Sequence, residues 1–121
     1  MLLSSALFLM GCATHKFAFD ANKAAAYLAV HQDRPVEIKR ALSIGRPARG
    51  MTEEEVLLCW GKATKILDED ISGRERTSWR YYEPQAIAYS GMRAVWADVL
   101  TKDVTFTNGI VVQWRELQTA R

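Results

Sequence analysis

Residues 50–61 read GMTEEEVLLCWG, and no other stretch of this 121-residue chain fixes its local fold so tightly. Thr52 and Glu55 stand in the T-x-x-E spacing of a capping box. In that motif the threonine hydroxyl accepts the orphan amide of the third helical residue, and the glutamate reaches back to the cap amide. Met51 before the cap and Val56 after it occupy the two positions of a hydrophobic staple. Three successive glutamates in the first turn complement the positive end of the helix dipole. Gly61 offers the left-handed conformation that ends a helix. The spacing therefore predicts a short helix over 53–60, with Val56, Cys59 and Trp60 inward. A cysteine on that inward face is a buried thiol rather than a reactive one, because no neighbour lowers its pKa.

Two further helices are expected upstream. Asp20 is a suitable N-cap for ANKAAAYLAVHQ, in which Ala24, Tyr27, Leu28 and His31 recur at helical spacing. In DRPVEIKRALSIGRP, Pro35 suits a first turn, while Gly45 and Pro47 end the helix. Its apolar stripe is Ile38, Ala41 and Leu42. Only Asp33 and Arg34 separate the two segments, so they form a helical hairpin or a bent pair.

Downstream of Gly61 the period changes to that of strands. ATKILDEDI alternates, SGRER reads as a charged turn, and TSWRYYE is rich in β-formers. Alternation sends Trp79 and Tyr81 one way and Arg80 and Tyr82 the other. VTFTNGIVVQWREL is a hairpin through Asn108-Gly109, the pair favoured in two-residue turns. Val104 and Phe106 share a face, as do Val112 and Trp114 on the return strand. Residues 84–98 have no clear period and divide between sheet and loop. Helices first and a meander afterwards give an α+β, two-layer expectation: N-terminal helices packed on one face of a three- to four-stranded antiparallel sheet.

The N-terminus bears on location. Residues 2–10 form an apolar run too short to span a bilayer, which needs about 20 residues. It ends at Leu9-Met10-Gly11-Cys12, which resembles the lipobox of bacterial lipoproteins: an aliphatic residue three before the cysteine and a small one just before it. The resemblance implies a signal peptide over 1–11, cleavage between Gly11 and Cys12, and a lipid on Cys12. A tether over 12–19 would then lead into a single domain over 20–121. Ala13 stands where an Asp often retains such proteins at the inner membrane, which favours the outer membrane, with the domain in the periplasm.

Composition narrows the chemistry. A formal charge of +2 gives no basic field for nucleic acid. Two cysteines (Cys12, Cys59) and two histidines (His15, His31) form no spaced metal-ligand set. The acidic run at 68–70 offers carboxylate oxygens to a divalent cation, but beside Arg74 and Arg76 it reads as a solvated turn. No nucleophile is spaced with a base, and no Gly-rich phosphate loop occurs. The expectation is a non-enzymatic protein without cofactor or metal. Aromatics cluster between Trp79 and Trp114, and alternation cannot bury all of them. Tyr82, Tyr89, Met92 and Trp96 are the candidate partner surface, since aromatic residues and Met are enriched at interface cores.

GMTEEEVLLCWGKAT, TSWRYYE and VTFTNGIVV, in that order behind a lipobox, resemble the BamE (SmpA/OmlA) family of small outer-membrane lipoproteins. Gly50, Met51, Thr52, Val56, Gly61, Trp79, Tyr81, Phe106 and Gly109 carry the likeness. Ala63 stands where the family usually has Pro, and the Ala-rich segment 20–32 lies outside the family pattern. The resemblance implies two helices on an antiparallel sheet and an accessory role in envelope or β-barrel outer-membrane protein assembly. Partners would be the membrane, through Cys12, and barrel-assembly subunits. The alternative is a periplasmic protein-binding module like the small domains that inhibit hydrolases.

Overall fold

The computed structural model describes residues 17–117. The expectations for Gly11, Cys12, His15 and most of the 12–19 tether lie outside the described residues. Within them, helices α1 (Ala21–Val30), α2 (Val36–Ile44) and α3 (Glu53–Trp60) precede strands β1 (Lys65–Ile71), β2 (Arg74–Ser90), β3 (Arg93–Thr107) and β4 (Ile110–Glu116). The fold class is α+β. The strands form one antiparallel sheet in the order β1-β2-β3-β4.

The helix boundaries follow their caps. The Asp20 carboxylate accepts the amides of Asn22 and Lys23 at the start of α1. Pro35 precedes α2, and Gly45 closes it in the left-handed region. At α3 both arms of the capping box form: Glu55 N–H donates to Thr52 Oγ1 at 3.2 Å, and Thr52 N–H donates to Glu55 Oε1 at 3.0 Å. Met51 and Val56 are fully buried at the staple positions. Gly61 ends α3 with φ 77° but ψ −164°, not the left-handed helical value. That backbone region is open essentially to glycine alone. A Cβ there would also collide with the Phe17 ring.

Side chains from helices and strands share one core. Ile38 and Leu42 of α2, Val56, Cys59 and Trp60 of α3, and Met51 between the helices cluster with Trp79, Tyr81, Val104, Phe106 and Val111 of the sheet. Register explains the strand members: Trp79 pairs with Val104, so both face the same way. Trp79 and Phe106 rings meet at 4.8 Å. Trp60 meets Tyr81 and Trp114 edge-on at 5.5 and 5.9 Å, the edge-to-face geometry aromatic quadrupoles favour.

Two details of the sheet differ from the sequence expectation. Val112 and Trp114 do not share a face. Phe106 pairs with Val111 while Thr105 pairs with Gln113, so Val112 is an extra residue in a β-bulge. The bulge turns Val112 outward and leaves Val111 and Trp114 toward the core. The turn after β1 is also tighter than SGRER. Ser72 and Gly73 alone make it, both with positive φ, and Arg74 already begins β2. Such two-residue turns match the twist of the flanking strands.

The helical part is organised around Glu55, whose side chain is completely buried. Arg34, between α1 and α2, donates from Nε to Oε2 at 2.7 Å and from Nη2 to Oε1 at 2.8 Å. Tyr27 of α1 donates its hydroxyl to Oε2 at 2.9 Å. Burial alone would push the Glu55 carboxyl up, but Arg34, the Thr52 amide and Tyr27 outweigh it and hold it below the ordinary value of 4.5. Burial, with Glu55, pushes the Tyr27 hydroxyl up to about 12, so it remains a donor. Because the folded-state carboxyl is depressed, its stabilisation is present above pH 4.5 and is lost as pH falls through the lower folded value. Arg34→Met strands a buried carboxylate and should cost about 3 kcal/mol at pH 7 in urea unfolding. The deficit should shrink below about pH 4, as Glu55 protonates and no longer needs the cation. A deficit that grows with acidity would contradict this account.

Candidate interaction surface

β2 and β3 are far longer than their neighbours. β1 runs alongside β2 only as far as Lys65 opposite Arg80, and β4 runs alongside β3 only as far as Glu116 opposite Lys102. Beyond that line, among the described residues, 82–90 and 93–100 pair only with each other. Residues 84–98, whose pattern divides between sheet and loop, instead belong to a two-stranded arm. It projects on the order of 25 Å at the usual rise per strand residue. Its tip is the two-residue turn Gly91-Met92, with Gly91 at φ 64°. A glycine with positive φ at the first turn position is the chemistry of a tight hairpin.

The root of the arm is rigidly held. Thr101 is an extra residue on β3, because Tyr81 pairs with Lys102 and Tyr82 with Leu100. Thr101 Oγ1 donates to the Tyr81 carbonyl at 3.2 Å, and the buried Tyr81 hydroxyl donates to the Gly61 carbonyl at 2.8 Å. Burial raises the Tyr81 pKa well above the ordinary phenol value, so that donor stays protonated. The Lys102 ammonium lies 4.8 Å from the Trp60 ring centre and 5.3 Å from that of Tyr81, within cation–π range. On the other side Tyr82 N–H donates to Thr64 Oγ1 at 3.0 Å, where β1 leaves off.

All four residues of the expected partner surface lie on this arm. Tyr82 pairs with Leu100, Ala86 with Trp96, and Tyr89 with Ala94. Residues 94, 96, 98 and 100 alternate without interruption on β3, so Tyr82, Tyr89 and Trp96 stand on one face. Tyr89 is 74% exposed, Trp96 62% and Met92, at the tip, 99%; Tyr82, at the root, is half-buried. Sequence reasoning missed Ile87 and Val95, which are exposed on the same arm. Ile87 is the extra residue of a second bulge, since Ala86 pairs with Trp96 and Ala88 with Val95. The signal that could have found the arm is the Ser-Gly-Met-Arg turn between two runs of β-forming residues.

The residues considered for chemistry are placed differently. Asp68 accepts from Thr77 Oγ1 at 2.9 Å, and alternation along β1 sends Glu69 to the face opposite Asp68 and Asp70. Among the described residues no group of three His, Cys, Asp or Glu side chains is placed to hold a metal ion. His31 caps α1, stacked on Tyr27 at 3.9 Å between ring centres. An open groove of about 410 Å³ beside α3 is lined by Phe17, Asp20, Lys23, Glu54, Leu57 and Leu58 among others. Cys59 is buried, and burial, reinforced by Glu55, pushes its thiol up to about 12.

Comparison of the chain with protein-family models, with curated proteins and with solved structures gives no match. The thiolate is the nucleophile in alkylation, so a thiol with pKa about 12 should resist iodoacetamide at pH 8 in the folded protein. It should react fully in urea, as read by peptide mass mapping at Cys59. Rapid labelling of the folded protein at Cys59 would show the thiol to be accessible.

Proposed function

We propose that this protein is a lipid-anchored docking module of the bacterial outer membrane, held by Cys12, with its domain in the periplasm. In this reading it supports envelope or β-barrel assembly by binding another protein and does no chemistry of its own. One observation carries the reading: an arm that projects beyond the four-stranded sheet bears three aromatics on one face and Met92 at its tip. Exposed apolar clusters of this kind mark interaction sites more often than chance surface. The lipobox-like Leu9-Met10-Gly11-Cys12 and the likeness of the helix–strand–hairpin motifs to the BamE family supply the location and the class of partner. No described helix is long and apolar enough to cross a membrane, so attachment in this reading falls to the lipid. A single acyl chain anchors only marginally and two or more hold stably.

The proposal also takes the fold as two layers. The helices cover the sheet face that carries Trp79, Tyr81, Val104 and Phe106, and the arm extends past them. A second reading, an inhibitor-like periplasmic module, draws on the narrow arm with Met92 at its apex, a shape suited to a cleft.

Affinity purification from detergent-solubilised membranes tests both. Wild-type protein should co-purify with β-barrel assembly subunits, whereas Tyr89→Ser/Trp96→Ser should not. That pair should alter stability by less than about 1 kcal/mol, as expected for exposed positions. A soluble hydrolase in the eluate would favour the second reading. Partner recovery indifferent to the arm variant would refute the arm as docking element. A palmitate analogue should label wild type but not Cys12→Ser; equal labelling would remove the anchor.

A further inference from the structure

We infer that the arm receives its partner by strand addition on the outer edge of β3, residues 93–100, and that the occupant is an extended polypeptide segment with an acid and a base five positions apart. The inference rests on the reading of the arm as a docking element and names the mode and chemistry of binding.

The two edges of the arm differ. The β2 edge, residues 83–90, contains Pro84, which has no N–H to offer, and the bulge at Ile87 that breaks the ladder. Both are devices by which proteins keep strand edges from pairing with other chains. The β3 edge between Arg93 and Leu100 has neither a proline nor a bulge, and no lysine. Pairing with β4 stops just short of it: the Leu117 amide donates to the Thr101 carbonyl at 2.7 Å, and no described residue continues beyond. Among the described residues the outward N–H and C=O groups of 93–100 have no backbone partner, and a row of such groups is satisfied by one kind of partner, an extended backbone. Such a strand would extend the line of β4, antiparallel to β3.

Side chains along the edge define that strand further. The 93–100 stretch, RAVWADVL, has two charges, Arg93 and Asp98, five positions apart and therefore on opposite faces. An antiparallel occupant meets Asp98 first and Arg93 five residues later. Its complement carries a base, then an acid five residues on, with β-forming residues between. A second copy of this chain does not supply this. Two β3 edges related by a two-fold axis keep like faces together, so opposed residues share parity. Arg93 and Asp98 differ in parity, so neither finds the other across the axis.

Two synthetic peptides of one composition test the inference: TVKVTVTE, with its base opposite Asp98 and its acid opposite Arg93, and the swapped TVEVTVTK. Both are end-capped and fluorescently labelled, and their binding to the full chain is followed by anisotropy. Wild type should prefer TVKVTVTE by about tenfold, given two cross-strand pairs turned from attractive to repulsive. Arg93→Glu/Asp98→Lys, at two exposed positions, should invert the preference. Hydrogen exchange should show protection gained at amides of 93–100 and not at 83–90. Equal affinity for the two peptides, or a preference that survives the charge reversal, overturns the inference. So does protection of 93–100 by self-association without peptide. If peptide discrimination fails while Trp96-dependent partner recovery from membranes persists, strand addition falls and docking by the arm stands. If recovery fails while discrimination holds, the proposed function falls and the edge chemistry stands.

Discussion

The buried carboxylate of Glu55 ties together three parts of the chain that share no regular structure. Tyr27 reaches it from α1, Arg34 from the α1–α2 connection, and the Thr52 amide from the start of α3. Arg34 also donates to the Gly50 carbonyl at 3.2 Å. Gly50 and Met51 in turn exchange backbone hydrogen bonds with Val111 on β4. The network thus runs from the first helix to the sheet edge. Taking a carboxylate out of water costs several kcal/mol, and the attraction of its partners does little more than offset that. An apolar cluster of the same volume would be as stable. It would not fix which turn of α1 faces which turn of α3, whereas four directional hydrogen bonds to two oxygens do.

Much of this was legible in the sequence because local chemistry and tertiary structure agree there. Thr52 and Glu55 form a capping box within four residues, and that motif works in isolation. Asn108-Gly109 encodes its turn in two residues with positive φ. Trp79 and Tyr81 declare the inward face of β2 by alternation alone. The second role of Glu55 was not legible. Its partners Tyr27 and Arg34 lie 28 and 21 residues away, and a capping glutamate reads as satisfied before any long-range partner is considered.

The arm was illegible for a different reason. Period-2 patterning arises when one face of a strand is buried and the other wet. Residues 84–98 are exposed or half-exposed on both faces, so no such bias was written into them. The bulge at Ile87 shifts the alternation by one residue in mid-strand. The same effect on β4 explains why simple alternation misplaces Val112: a bulge changes parity without leaving a clear mark in composition.

Glu55 and the arm are joined by α3. This helix has eight residues, and at 1.5 Å per residue it is a strut about 12 Å long. Its first turn is held by the Glu55 network. Its last residues hold the arm root: the Gly61 carbonyl accepts the Tyr81 hydroxyl, and Trp60 packs edge-on against Tyr81 with Lys102 above both rings. An isolated two-stranded ribbon is marginal in water, so the arm depends on that root for its direction. The helical part therefore acts on the proposed docking element at a distance. It fixes α3, α3 fixes Tyr81, and Tyr81 fixes the line along which β2 and β3 leave the sheet. The unusual ψ of Gly61 belongs to the same chain of constraints. With φ 77° and ψ −164°, its carbonyl takes an orientation that other residues reach only under strain, and it is that carbonyl which receives the Tyr81 hydroxyl.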